Sequence, residues 1–183
     1  FSAPFGVGIE ADTDDPTRYA VWITQAGLGM PDRDFYLNAG PAFDKYRAAY
    51  KAYATRIFEL IGDPAPAASA DTVIALEKKI AQVHWTQQAL REPAKAFNTM
   101  SFAEFKAFSP NLGWDGVLTG IGMPADVDKV VVYGDTAVRD GAKLIDSQPV
   151  AAWKKYLAFH IASDNASNLT QAFDDARFEF YGK

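Results

Sequence analysis

Pro41-Ala42-Phe43-Asp44-Lys45-Tyr46-Arg47-Ala48-Ala49-Tyr50-Lys51-Ala52-Tyr53-Ala54-Thr55-Arg56-Ile57-Phe58-Glu59-Leu60 decides the fold class. Phe43, Tyr46, Tyr50, Tyr53, Ile57 and Leu60 recur at steps of three and four, which gathers them on one face of a helix. Pro41 suits the first turn, where a missing N–H costs nothing, and Gly62 supplies the left-handed backbone that stops the helix.

Working outward, a Pro- and Ala-rich linker leads to a second helical stripe of Val73, Leu76, Ile80 and Val83. Ser69 is the expected cap, and Pro93 ends the helix by Glu92, because the residue before a proline disfavours helical geometry. Ser101-Phe102-Ala103-Glu104 is a capping box opening a short helix with Phe102, Phe105 and Phe108, which stops near Ser109-Pro110. Trp114 falls in the next turn. Lys129 to Tyr133, with three valines in a row, reads as a strand, and a helix follows from about Asp135 to Asp146. From Pro149 a broken apolar stripe of Val150, Trp153, Leu157, Ile161, Leu169, Phe173 and Phe180 runs almost to the end, with Ser163-Asp164-Asn165 as the polar break.

On the other side of the long helix, Phe5 to Ile9 and Tyr19 to Ile23 flank Asp12-Thr13-Asp14-Asp15-Pro16, the pattern of a hairpin. A loop, Gln25-Ala26-Gly27-Leu28-Gly29-Met30-Pro31, joins it to Asp32-Arg33-Asp34. The expected fold is mainly α, with about five or six helices, a short N-terminal β-hairpin and one further short strand. No repeat or boundary divides it, so residues 1–183 read as a single helical domain.

Nearly half of the 183 residues are hydrophobic, which excludes a disordered tail. The net charge of −5 is spread along the chain without a basic stripe, so nucleic acid and anionic membrane are poor partners. No cysteine is present, which excludes disulfides and thiolate chemistry. No apolar run reaches the ~20 residues of a membrane span, and no signal peptide is visible. A start at Phe1 rather than Met reads as a piece of a longer polypeptide.

A zinc hydrolase needs imidazoles or carboxylates converging on the metal, commonly two His one helical turn apart. The two histidines, His84 and His160, are far apart in sequence, and both lie beside apolar neighbours that favour packing. No G-x-S-x-G elbow occurs, and the paired glycines at 6 and 8 and at 27 and 29 lack a third glycine. Asp12, Asp14 and Asp15 are oxygen donors of the kind calcium takes, but a solvated turn explains them more simply. Arg33 between Asp32 and Asp34 is best read as a clamp pinning the loop to the helix that follows, with ligand contact as the alternative. Arg91, in the Leu90-Arg91-Glu92-Pro93 corner, has the same two readings. Asn165-Ala166-Ser167 and Asn168-Leu169-Thr170 match glycosylation sequons within a helical segment.

Several segments, in order, resemble the N-terminal non-catalytic region of the neprilysin and endothelin-converting-enzyme family of zinc metalloendopeptidases. Gln25 to Leu37 resembles the family's Q-x-G-L-x-L-P-x-R-D-Y-Y-L run. Leu76-Glu77, Ile80-Ala81 and His84-Trp85 continue the likeness. Phe97-Asn98-Thr99-Met100-Ser101 resembles Y-N-x-M-T, Pro110 with Trp114 resembles P-x-x-x-W, and Val130-Val131-Val132 resembles the family's strand. Trp153-Lys154-Lys155-Tyr156-Leu157 and Phe178-Glu179-Phe180-Tyr181-Gly182-Lys183 complete it. Glu92 stands where the family has Asp, and Phe35 and Phe97 replace tyrosines.

The resemblance implies a helical lobe that screens a central substrate cavity and packs on a catalytic lobe holding zinc through H-E-x-x-H and E-x-x-x-D helices. Those helices lie downstream, so the resemblance assigns no catalytic or metal residue here. No cofactor is expected in this piece, and zinc is expected in the parent's missing catalytic lobe. Arg33, Asp34, Tyr36, Arg91 and Asn98 are the candidate structural or cavity-facing residues. The implied partners are the catalytic lobe of the same polypeptide and, for the parent, oligopeptide substrates. An exposed apolar face with self-association, and a periplasmic or extracellular location, go with that reading. Two alternatives remain: a free-standing helical module that binds peptide or protein without catalysis, and a carboxylate hydrolase using Asp32 or Asp34.

Overall fold

The computed structural model describes residues 3–123 and 127–182. In chain order the elements begin with strands β1 (Phe5–Ala11) and β2 (Tyr19–Gln25), then helices α1 (Asp34–Leu37), α2 (Pro41–Leu60) and α3 (Pro66–Val83). Short helices α4 (Gln87–Leu90) and α5 (Pro93–Ala96) lead to β3 (Phe97–Ser101), α6 (Phe102–Phe108), α7 (Trp114–Gly120) and β4 (Lys129–Tyr133). Helices α8 (Asp135–Ser147), α9 (Val150–Asp164) and α10 (Gln171–Tyr181) follow, with a 3₁₀ turn at Ala166–Asn168 before the last.

The chain is mainly helical, with the expected hairpin and the expected strand at Lys129–Tyr133. Ten helices are found among the described residues because several are single turns of four residues, too short to show a period. Phe97–Ser101 is a further strand that the sequence does not announce, since its apolar and polar residues do not alternate along a run of that length. Contacts gather into two compact units, a helical one (residues 27–82 and 148–182) and a sheet one (residues 4–26 and 83–147).

In the helical unit, α2 runs as expected and ends in a Schellman motif. Gly62 has φ +75°, its N–H reaches the Glu59 carbonyl, and the Asp63 N–H reaches the Phe58 carbonyl. Asp63 then starts α3, accepting bonds from Ala65 N–H at 2.8 Å and Ser69 Oγ at 3.0 Å. Ser69 is therefore not the cap. It lies inside α3 and donates its hydroxyl back to the Asp63 carboxylate. α3 stops at Val83, well before Pro93, and Thr86 caps a separate turn. The interior of this unit is aromatic: Tyr50, Tyr53, Phe58, Tyr156 and Phe159 are all buried. Ser163, in the polar patch of the last stripe, still lies inside α9 and faces inward at 2.6 Å from the Tyr53 hydroxyl, and the helix ends only at Asp164.

In the sheet unit the strand order is β1-β2-β4-β3, with β2 and β4 parallel and the other pairs antiparallel. Val21, Ile23, Val130 and Val132 face one side and form a core with Phe105, Trp114, Leu118, Val138 and Ala142. The capping box is complete: Ser101 Oγ accepts from Glu104 N–H at 3.2 Å, and the Glu104 carboxylate accepts from Ser101 N–H at 2.8 Å. Trp114 opens a helix of its own and donates its indole N–H to the Ser109 carbonyl at 2.8 Å.

Candidate functional site

The densest polar arrangement is a buried hub in the helical unit. Glu77 projects from the apolar face of α3 and is fully buried. Its two oxygens accept from Tyr36 Oη at 2.9 Å, Tyr50 Oη at 2.8 Å and His160 Nε2 at 2.7 Å. Three donors on one carboxylate compensate the loss of water that makes burying a charge expensive. Nε2 is the ring nitrogen of His160 that faces the carboxylate. Burial, reinforced by the Glu77 charge, pushes the Tyr36 and Tyr50 phenols well above their ordinary value, so both stay neutral donors.

Around the hub, tyrosine hydroxyls hold the loop that precedes α1. Tyr36 Oη also accepts from Met30 N–H at 3.0 Å. Tyr156 and Tyr181 donate to the carbonyls of Gly27 and Gly29, each at 2.8 Å. Gly27 has φ +95°, open to glycine at little cost. At Gly29 space decides, since an added Cβ would lie 1.9 Å from the Tyr50 hydroxyl. Backbone conformation at Gly27 and close packing at Gly29 account for the two glycines of this loop.

Arg33 does not sit between Asp32 and Asp34. Its Nε donates to the Ala81 carbonyl at 3.2 Å, fastening the loop to α3 rather than to the helix that follows, and the contact to Asp34 is 3.8 Å. Asp32 Oδ1 instead accepts the Asp34 N–H at 2.8 Å. The tie to α2 comes from Arg47, which donates to the carbonyls of Phe35 and Asn38. Arg91 is exposed at the end of α4, and Asn98 on β3 donates to the Lys95 carbonyl at 3.0 Å. Of the five candidates, Arg33, Asp34 and Tyr36 lie together at and within α1 of the helical unit, with Tyr36 in the hub. Arg91 and Asn98 belong to the sheet unit.

Sequence reasoning missed Glu77 as a centre, because its partners come from positions 36, 50 and 160. A charged residue beside Leu76 in an otherwise apolar stripe was the available signal. The Gln25 side chain was missed likewise: its Oε1 accepts Trp85 N–H at 2.8 Å and its Nε2 donates to Trp85 O at 3.2 Å, so it satisfies both backbone groups of that residue.

The hairpin carboxylates are also engaged. Lys129 Nζ lies 2.6 Å from Asp12 and 3.2 Å from Asp14, an ammonium where a calcium reading would put the cation. The hydrogen bond from Lys129 holds the Asp12 carboxyl below its usual range. Asn165 and Asn168 are exposed in the break between α9 and α10, not within a continuous helix. His84 is buried. Among the described residues no cluster of three or more His, Cys, Asp or Glu could hold a metal, and the donor set around His160 is one carboxylate and two phenols already bonded to it. These residues do not fit a zinc site.

A sequence model of peptidase family M13, built on its N-terminal region, matches residues 1–183. The chain belongs to peptidase family M13. Among curated M13 relatives, endothelin-converting enzyme-like 1 of Rattus norvegicus is 25% identical over 182 residues, covering 97% of this chain and 24% of that protein. Endothelin-converting enzyme 1 of Cavia porcellus is 25% identical, with 96% and 24% covered. Among solved structures, the zinc metalloprotease Zmp1 of Mycobacterium tuberculosis in complex with inhibitor aligns with a TM-score of 0.92 and 30% identity, over 99% of this chain and 28% of its own. PepO of Lactobacillus rhamnosis aligns with a TM-score of 0.81 at 16% identity, a likeness of fold. The chain thus spans about a quarter of the length of the M13 proteins it matches.

Gln25, Gly29, Arg33, Tyr36, Glu77 and Trp114, all in segments that resemble the family, are engaged in internal contacts of the fold.

Proposed function

We propose that this chain is the non-catalytic helical lobe of a zinc metalloendopeptidase, a fragment of a larger polypeptide whose remaining part binds zinc and cleaves oligopeptides. In this reading the lobe screens the substrate cavity by size and packs on the catalytic lobe. The observation that carries it is that the family-like residues hold internal contacts. Glu77 and His160, the pair best suited to chemistry, are buried against each other with no oxygen open to a substrate.

Packing on another lobe is supported by apolar side chains that the helical unit leaves in water: Val150, Phe178, Leu169 and Ile161. In the isolated chain the same side chains favour self-association. Arg91, exposed, and Asn98 are the candidates to face the cavity, whereas Arg33, Asp34 and Tyr36 shape the loop. A periplasmic or extracellular site of action fits this role, and among the described residues no helix is long and apolar enough to cross a membrane.

The test is made in the intact parent protein with two substrates, a short internally quenched peptide and a folded protein. We expect zinc-dependent cleavage of the peptide and none of the folded protein. Val150→Asp with Phe178→Asp should loosen the lobes and relax that selectivity. A parent without zinc, or one that cleaves both substrates alike before any substitution, overturns the reading.

A further inference from the structure

β1 is an edge strand among the described strands, partly buried from Phe5 to Gly8 and exposed from Ile9 to Ala11. Flanking bonds fix which of its peptide groups point outward. Ala26 N–H reaches the Pro4 carbonyl and Asp12 N–H reaches the Arg18 carbonyl, so 4/26 and 12/18 are hydrogen-bonded pairs. Since such pairs alternate along an antiparallel ladder, residues 6, 8 and 10 bond to β2. Phe5, Val7 and Ile9 therefore direct their N–H and C=O groups to the free edge. Natural edges carry lysine, proline or a bulge against pairing, and the strand Phe-Gly-Val-Gly-Ile-Glu-Ala contains no lysine or proline.

The face bearing residues 6, 8 and 10 has a second property. Gly6 pairs with Thr24 and Gly8 with Trp22, and the two glycines leave a trough of about 540 Å³ beside Trp22, Thr24 and Glu10. Packing explains the first glycine, because a Cβ there would meet Thr24 Oγ1 at 2.7 Å. It does not explain the second: around a Cβ on Gly8 nothing lies within 4 Å, and its φ is not in the left-handed region. A glycine in a strand that neither sterics nor backbone requires marks a place where something else approaches.

We propose that the β1 edge takes up an extended peptide, antiparallel, with large apolar side chains seated over Gly8 and Gly6 and a basic side chain opposite Glu10. Main-chain bonds to Phe5, Val7 and Ile9 supply the affinity, and the trough supplies the choice of side chains at alternate positions. Large rings across from edge glycines cover backbone that would otherwise stay wet. Glu10 sets direction and register through opposite charge. A second copy of this chain fits less well, because its own Gly6 and Gly8 would leave the trough empty. The inference stands whether or not the lobe reading above is right.

The probe is acetyl-Thr-Lys-Thr-Phe-Thr-Phe-Thr-amide, titrated into the purified chain and followed by backbone amide NMR. Saturable shifts confined to β1, Trp22 and Thr24 are expected. Changing the probe's lysine to glutamate should weaken binding about tenfold or more. Gly8→Leu fills the trough and should abolish binding. Ile9→Pro removes one outward donor without touching a ladder bond and should weaken it by a similar factor, while circular dichroism confirms that both variants fold. Absence of saturable shifts at about 1 mM peptide, or binding that both folded variants retain, overturns the proposal. So does concentration-dependent dimerisation without peptide that Gly8→Leu removes, since the occupant would then be a second copy.

Discussion

The two units solve the same problem, filling an interior rich in aromatic residues, in opposite ways. The helical unit draws a carboxylate and an imidazole into its centre and surrounds them with tyrosine hydroxyls. The sheet unit builds its core from valines, Phe105 and Trp114, and its ion pairs lie outside that core, among them Lys129 with Asp12 and Asp14 at the hairpin. A valine core tolerates many hydrophobic exchanges of similar volume. A hub of one acceptor and three donors tolerates few, because each lost partner strands another buried polar group. The helical unit is therefore the more brittle of the two, and its loop from Gly27 to Met30 inherits that brittleness.

The strongest way to break this contrast is Glu77→Ala. It strands Tyr36, Tyr50 and His160 at once, and should cost about 3–5 kcal/mol in urea unfolding. A loss below about 1 kcal/mol would mean that the hub is already wet or rearranged.

The contrast sharpens at high pH. Tyr36 and Tyr50 have phenol pKa values raised well above those of an unfolded chain, so their stabilisation is whole below about pH 10 and is lost as pH rises past it. Each of these tyrosines should add about 1.4 kcal/mol per pH unit to that loss. Unfolding measured across the alkaline range should show a steep arm that Tyr36→Phe with Tyr50→Phe flattens. At the hairpin rim the sign reverses. The depressed Asp12 pKa gives stability present above about pH 4 and lost as pH falls.

A third comparison sets one glycine from each unit side by side. Gly29→Ala drives a Cβ into the Tyr50 hydroxyl and should cost about 1–3 kcal/mol, whereas Gly8→Ala meets nothing and should stay within about 0.5 kcal/mol. Equal costs in thermal unfolding would deny that the two positions differ. Ser101→Ala, which removes half of the capping box of α6, should fall between those two glycines at about 1 kcal/mol in the same measurement.

The same contrast governs what the sequence discloses. Local signals read correctly: the stripe from Phe43 to Leu60, the turn between β1 and β2, Ser101 with Glu104, and the valines of β4 each encode their element within a few residues. Ser69 misled because a serine before an apolar run looks like a cap, while in the fold it lies inside α3 with its hydroxyl on Asp63. β3 was hidden because Phe97–Ser101 becomes a strand by pairing with β4, its neighbour in space but not in sequence. The hub was illegible for the same reason. Arg33 and Tyr36 were singled out on charge and motif, yet their partners, the Ala81 carbonyl and Glu77, lie more than forty residues away.

The most direct measurement is an assay of the purified 183-residue chain against an internally quenched oligopeptide, with added zinc and with chelator, alongside bound zinc by mass spectrometry. We expect no hydrolysis and no retained zinc under either condition. Turnover by the chain alone that Glu77→Gln abolishes would contradict a scaffolding role for the hub and make it an active site.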